Sequence, residues 1–210
     1  MSYSNIELII QKQYRKRGWN DMSNIEKVDE LLQLFIKECP TLETSDKLIK
    51  KYVTNFDINF DLSDFDNDLV KSYLQFENWL NVLFQQEKVQ DNIIALNFGL
   101  YESEDVIQLY ISGSTEWDLN NEDWASYNDY FPEGKYPDIT LYKVLYNFRE
   151  ENFVLGLFLT ISSTIIFANT YLIANPSKFP QGVVLSTGFD DGSIYNFIKK
   201  SYENVTVLFR

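Results

Sequence analysis

The side chains able to move protons or hold cations are concentrated in one stretch of this 210-residue chain. Residues 116–131 carry Glu116, Trp117, Asp118, Glu122, Asp123, Trp124, Tyr127, Asp129, Tyr130 and Phe131, and the segment closes on Pro132, Gly134 and Pro137. Neither a helical nor a strand period fits it, so carboxylates and aromatic rings interleave on a long loop. A second acidic pair, Asp190-Asp191, stands before Gly192 and reads as turn punctuation between elements or as a ligand site. Two chemistries suit such residues. A pair of carboxylates beside aromatic platforms could cleave a glycosidic bond by general acid and base action. The same groups could instead recognise the cationic side chains of a basic protein. Any acidic chain offers carboxylate pairs, so the first pattern is unspecific. Trp117 and Trp124 can serve either as pins that hold the loop to a core or as anchors for a partner.

Other chemistries are excluded by what the chain lacks. With no histidine, the commonest general base, the commonest metal ligand and every Ser-His-Asp or Cys-His arrangement are absent. The single cysteine, Cys39, cannot form an internal disulfide or a thiolate metal site, and before Pro40 it reads as a buried or half-buried small hydrophobe. Residues 57–68 begin D-x-N-x-D like a calcium loop, but Leu62 and Asp68 replace the required glycine and glutamate. No phosphate loop, dinucleotide fingerprint, zinc spacing or nucleophile elbow is present, and no cofactor is expected. The N-terminus lacks the basic and apolar regions of a signal peptide, which with the lone cysteine points to a reducing cytoplasm.

Charge sharpens the choice. The chain carries 31 acidic and 18 basic residues, net −13, but the excess is local. Residues 1–60 hold nine of each sign, residues 61–138 hold seventeen acids against three bases, and residues 139–210 hold five against six. Folded onto one face, the middle third would attract a basic protein and repel nucleic acid and anionic membranes. The alternative is that two polar linkers, 57–68 and 116–138, are acidic for solubility alone.

The elements that must position these residues follow from periodicity. Ser4 and Glu7 form a capping box that starts a first helix, with basic residues 12–17 and Gly18 at its end. Ser23 and Glu26 repeat the device before a second helix, whose Val28, Leu31, Leu32, Phe35 and Ile36 recur at helical spacing up to Pro40. Ser45 caps a third, with Leu48, Ile49, Tyr52 and Val53 inward. A long fourth helix runs from Leu69 to about Lys88 and buries Tyr73, Phe76, Leu80 and Leu83. Four such neighbours predict an antiparallel bundle. Residues 93–101 and 106–112 then alternate as a hairpin around a four-residue loop, 102–105. Asp138 caps a short helix. Phe153–Ala174 has twenty-two residues and no charge, the length of a membrane span, yet its Ser, Thr and Asn content favours a central buried helix. Residues 182–189, 193–198 and 205–209 read as strand, helix and strand. The fold class expected is α+β: an N-terminal helical bundle in residues 1–90, then in 91–210 a small mixed sheet, hairpin plus C-terminal βαβ, on a central apolar helix.

Residues 95–101, 109–113, Asp118, Asp123-Trp124-Ala125 and Gly188-Phe189-Asp190-Asp191-Gly192 resemble small, uncharacterised bacterial cytoplasmic proteins grouped with the immunity proteins of polymorphic-toxin systems. The likeness covers residues 93–195 and leaves the N-terminal helices aside. It implies a non-enzymatic antidote that binds a cognate toxin, often a basic nuclease, by charge complementarity. The expectation is therefore an interaction module for a basic partner, using Glu116, Trp117, Asp118, Glu122, Asp123, Trp124, Asp129, Asp190 and Asp191. A carboxylate-dependent carbohydrate enzyme and a membrane-associated protein are the alternatives.

Overall fold

The computed structural model describes residues 22–56, 62–200 and 205–206. The first expected helix, the start of the 57–68 segment and most of the last strand lie outside them. Helix α1, Met22–Lys37, and helix α2, Leu42–Val53, bury the predicted apolar stripes, including Val28, Leu32, Phe35 and Ile49. Thr41, not Ser45, begins α2: its backbone N–H donates to Thr44 Oγ1 at 3.0 Å, while the Ser45 hydroxyl turns inward to Leu42 O. Cys39 sits in the left-handed region at φ 49° in the break between these helices and is exposed, contrary to the buried hydrophobe expected. The chain must reverse before Pro40, and that reversal turns the thiol outward. Helix α3, Ser63–Gln86, absorbs residues 63–68 into its first turns, which carry Asp64 and Asp66 where the helix dipole favours acids.

Helix α4, Thr140–Glu151, leads directly into α5, Phe153–Ala174. The N-terminal helices pack chiefly on α5 rather than forming a bundle of their own. Helix α5 is the one described helix long and apolar enough to cross a membrane, and 83% of its most apolar window is buried inside the protein. Burial by protein on nearly every side accounts for its hydropathy. Its hydroxyls are satisfied within the helix: Thr160, Ser162, Ser163 and Thr164 each donate to a carbonyl four residues back. Thr164 also meets the fully buried Tyr142 hydroxyl at 2.8 Å, tying α5 to α4.

The sheet has five strands in the order β2-β1-β3-β4-β5. Strands β1, Ala95–Ser103, and β2, Val106–Ser114, pair antiparallel in a register that sets Ser103 opposite Val106. The connection is thus a two-residue turn, Glu104-Asp105, with Glu104 at φ 28°, tighter than the four-residue loop expected. Strand β3, Val184–Phe189, lies parallel to β1 on its other side. The expected C-terminal βαβ unit does not form. Residues Tyr195–Lys200 are strand β4, antiparallel to β3, with β5, Val205–Thr206, beyond it. Ile194, Phe197 and Ile198 fit a helical spacing, but Tyr195 and Phe197 face the main core while Asn196 faces away, a period of two. A paired β3 edge satisfies backbone groups that a helix there would have left open. The parallel pair is β1 with β3, joined through β2, α4 and α5.

Alternation divides the sheet cleanly. Leu96, Phe98, Leu100, Leu109, Ile111 and Leu185 face the helices in one core that runs from α1 to β4. Ala95, Asn97, Gly99, Tyr101, Tyr110 and Ser186 face the other way, and that outer face is covered by residues 115–138.

Candidate functional site

The loop is fastened to the outer face by a small second core. Trp124, on the 3-10 turn Glu122–Ser126, is 3% exposed and packs with Ala95, Val184 and Ile194, with Trp117 and Ala125 against them. Trp117 Nε1 donates to Asn196 Oδ1 at 3.1 Å, so both tryptophans pin the loop. Trp124 Nε1 finds no hydrogen-bond partner among the described residues. Polar side chains finish the fastening. Asp129 accepts from Thr115 N and Thr115 Oγ1, both at 2.8 Å, and these bonds hold its carboxyl below the usual range. Asp118 accepts from Asn120 N at 2.8 Å, and Asn121 Oδ1 accepts from Asp123 N at 3.1 Å at the start of the 3-10 turn. The chain then rounds the β2 edge: Gly113 exchanges backbone bonds with Tyr130 in both directions, and Ile111 N donates to Lys135 O. It reaches α3, where Trp79 Nε1 donates to Gly134 O at 2.7 Å and Tyr130 Oη to Glu87 O at 2.9 Å.

What this covering leaves open is a groove of about 760 Å³. Asn97, Tyr101 and Tyr110 of the hairpin floor it, Phe131 and Tyr136 of the loop wall it, and Glu122, Asp123 and Asp190 supply three carboxylates. No basic side chain among the described residues lines it. Its rings form one group: Tyr101, Tyr110 and Tyr136 stand with centroids 6.1 to 6.4 Å apart in tilted and edge-on pairs. Tyr110 lies across Gly99, where a Cβ would come within 2.1 Å of Tyr110 Cζ, so only glycine lets the ring lie down. From there Tyr110 Oη donates to Asp190 Oδ1 at 2.6 Å. Burial raises the Asp190 carboxyl above its ordinary value, the Tyr110 bond pulls it back, and Asp191 pushes it up again. Desolvation and the neighbouring carboxylate hold the Tyr110 phenol strongly protonated, so its hydroxyl keeps a proton to donate to Asp190.

A second cleft of about 470 Å³ adjoins the groove, sharing Tyr101, Asp190 and Gly192. Its acids are Asp29, Glu102, Asp190 and Asp191, and Arg149 lies at its base, paired with Glu102. The Arg149 side chain is 7% exposed, its guanidinium gripped between the Phe153 and Phe189 rings, at 5.0 and 4.8 Å. That cation is committed inside the fold. Asp29 of α1 meets the Tyr195 hydroxyl of β4; burial raises its carboxyl, the Tyr195 bond opposes the rise, and Glu122 and Glu26 add to it.

Of the residues singled out from sequence, Glu122, Asp123 and Asp190 come together in the groove, and Asp191 lines the adjoining cleft. Glu116, Asp118 and Asp129 are exposed but line neither, and Trp117 and Trp124 lie beneath the loop. Sequence reasoning missed Tyr101, Tyr110, Tyr136 and Asp29. The available signal was the alternation of the hairpin, which sets Asn97, Gly99 and Tyr101 opposite Ser112, Tyr110 and Gln108, polar, glycine and tyrosine positions on the face away from the main core. Among the described residues no group of three or more His, Cys, Asp or Glu could hold a metal ion. No family model, curated protein or solved structure matches the chain.

Proposed function

We propose that this protein is a non-enzymatic interaction module that seats a basic segment of a partner protein in the outer-face groove. The observation that carries the reading is convergence. Carboxylates from two distant turns, Glu122 with Asp123 and Asp190, meet rings from β1, β2 and the loop in one concavity, and the Lys135 ammonium already stands against two of those rings. Such a site offers a lysine or arginine both a counter-charge and an aromatic face. The surrounding negative field steers the partner in and makes association fall with salt. The resemblance to immunity proteins gives this surface a biological role, the neutralisation of a basic toxin in a bacterial cytoplasm.

A matched-charge comparison tests the proposal. An amidated hexalysine peptide carrying a fluorophore is titrated into the wild type, into Asp123→Asn/Asp190→Asn, and into Glu43→Gln/Asp64→Asn, which removes two exposed helix acids instead. Two half-exposed ion pairs at ~0.5–1 kcal/mol each predict a roughly five- to thirty-fold loss for the groove variant. The helix variant should lose less than about twofold. Equal losses in both would reduce the effect to net charge and defeat the proposal.

A further inference from the structure

In a chain with 31 carboxylate residues, Lys135 ignores all the described ones. Its ammonium stands instead over two rings, 4.2 Å from the Phe131 centroid and 4.9 Å from that of Tyr136, and reaches Pro132 O at 3.5 Å. Both rings line the groove, and at 42% and 48% exposure they are among the most open large hydrophobic side chains of the fold. An exposed aromatic pair that already holds an ammonium is a formed recognition site for one.

We infer that Phe131 and Tyr136 are an alkylammonium subsite, occupied in the free protein by Lys135 and taken over by a lysine side chain of the partner. The inference rests on the proposed binding role and names the chemical group the groove reads. The backbone around Lys135 is fixed: Lys135 N donates to Pro132 O, Lys135 O accepts from Ile111 N, and Gly134 O accepts from Trp79 Nε1. Exchange is therefore a rotation of one long side chain, without movement of the loop. Lys135 gains only the rings and one carbonyl, whereas a partner that seats one lysine on the rings can set its other cationic side chains against Asp123 and Asp190 along the same groove. That difference favours exchange once a partner is present. It also keeps the two rings from lying bare in the free protein.

Two readouts test this. In the free protein the Lys135 ε-methylene protons should be shifted upfield by the two ring currents, and saturating hexalysine should return them toward the values of an exposed lysine. Lys135→Gln removes the internal competitor and should bind hexalysine about fivefold tighter, the equivalent of losing one exposed pair of cation–ring contacts. Lys71→Gln, which deletes a lysine with a 76% exposed side chain on α3, controls for the change in net charge and should alter binding less than about twofold. If Tyr101 and Asp190 signals respond to the peptide while Lys135 stays in place, Lys135 is a fixed prop; the subsite assignment falls and the binding role stands. If no groove signal responds, both fall. Weaker binding by Lys135→Gln than by wild type would also overturn the assignment.

Discussion

Replacing Trp124 with alanine separates a pin from a partner anchor. The side chain is 3% exposed and packs on Ala95, Val184 and Ile194 of the outer face. A buried tryptophan removes ~150–250 Å² from water. At ~25 cal/mol per Å² that is roughly 4–6 kcal/mol as an upper bound, and measured truncations of this kind cost ~3–5. One contribution opposes the loss. Trp124 Nε1 has no hydrogen-bond partner among the described residues, so deleting it returns ~1–3 kcal/mol of desolvation penalty. Subtracting this return from the measured truncation cost centres the expectation for Trp124→Ala on a loss of about 2 kcal/mol by urea unfolding. Trp124→Phe keeps most of the ring and discards the unsatisfied N–H, so it should lie within ~1 kcal/mol of wild type by the same reasoning. Because the second core fastens only the outer-face loop, Trp124→Ala should also open residues 115–138 to limited proteolysis while far-UV dichroism changes little. A loss below about 1 kcal/mol with the loop still resistant would refute the pinning argument. So would a phenylalanine variant as unstable as the alanine one.

Two further outcomes follow from the site. Gly99→Ala drives a methyl into the far end of Tyr110, which can swing aside without moving the strand, so the protein should fold while the Tyr110–Asp190 bond is lost. Since that bond pulls the Asp190 carboxyl down, the variant's Asp190 should titrate at higher pH in carboxyl-detected NMR; an unchanged titration would contradict the geometry. Asp29 holds its proton more tightly in the folded than in the unfolded chain, chiefly through burial. Its contribution to stability is complete below the ordinary value of 3.8 and is lost as pH rises through the raised folded-state value. Asp29→Asn should therefore flatten the fall in melting temperature between pH 4 and pH 7; an equal or steeper fall would show that Asp29 is not the titrating group.

Local signals in the chain carried a good part of this architecture. The helical stripes of α1 to α3 and the apolar run of α5 announce the core because burial imposes a period or abolishes it, and those patterns survive in the folded protein. The C-terminal segment shows where local reading stops. Ile194, Phe197 and Ile198 satisfy a helical spacing as well as a strand, and the open edge of β3, invisible in sequence, decides for the strand. The groove was half legible for the same reason. Glu122, Asp123 and Asp190 stood out by type, but their meeting depends on β1 and β3 lying side by side, a pairing of residues about ninety apart. Tyr101 and Tyr110 read as ordinary hairpin residues until the register places Tyr110 over Gly99. Trp124 read equally well as pin or anchor, because its burial depends on Val184 and Ile194 arriving from the far end of the chain.

The most direct test is where a cation settles on the folded surface. Hexalysine bearing a terminal nitroxide, added to isotopically labelled protein, should broaden the amides of Tyr101, Tyr110, Tyr136 and Gly192 first and most strongly, with the effect reversed by Asp123→Asn/Asp190→Asn. Broadening spread evenly over the acids of α1, α2 and α3, with the groove no more affected than they are, would contradict the account.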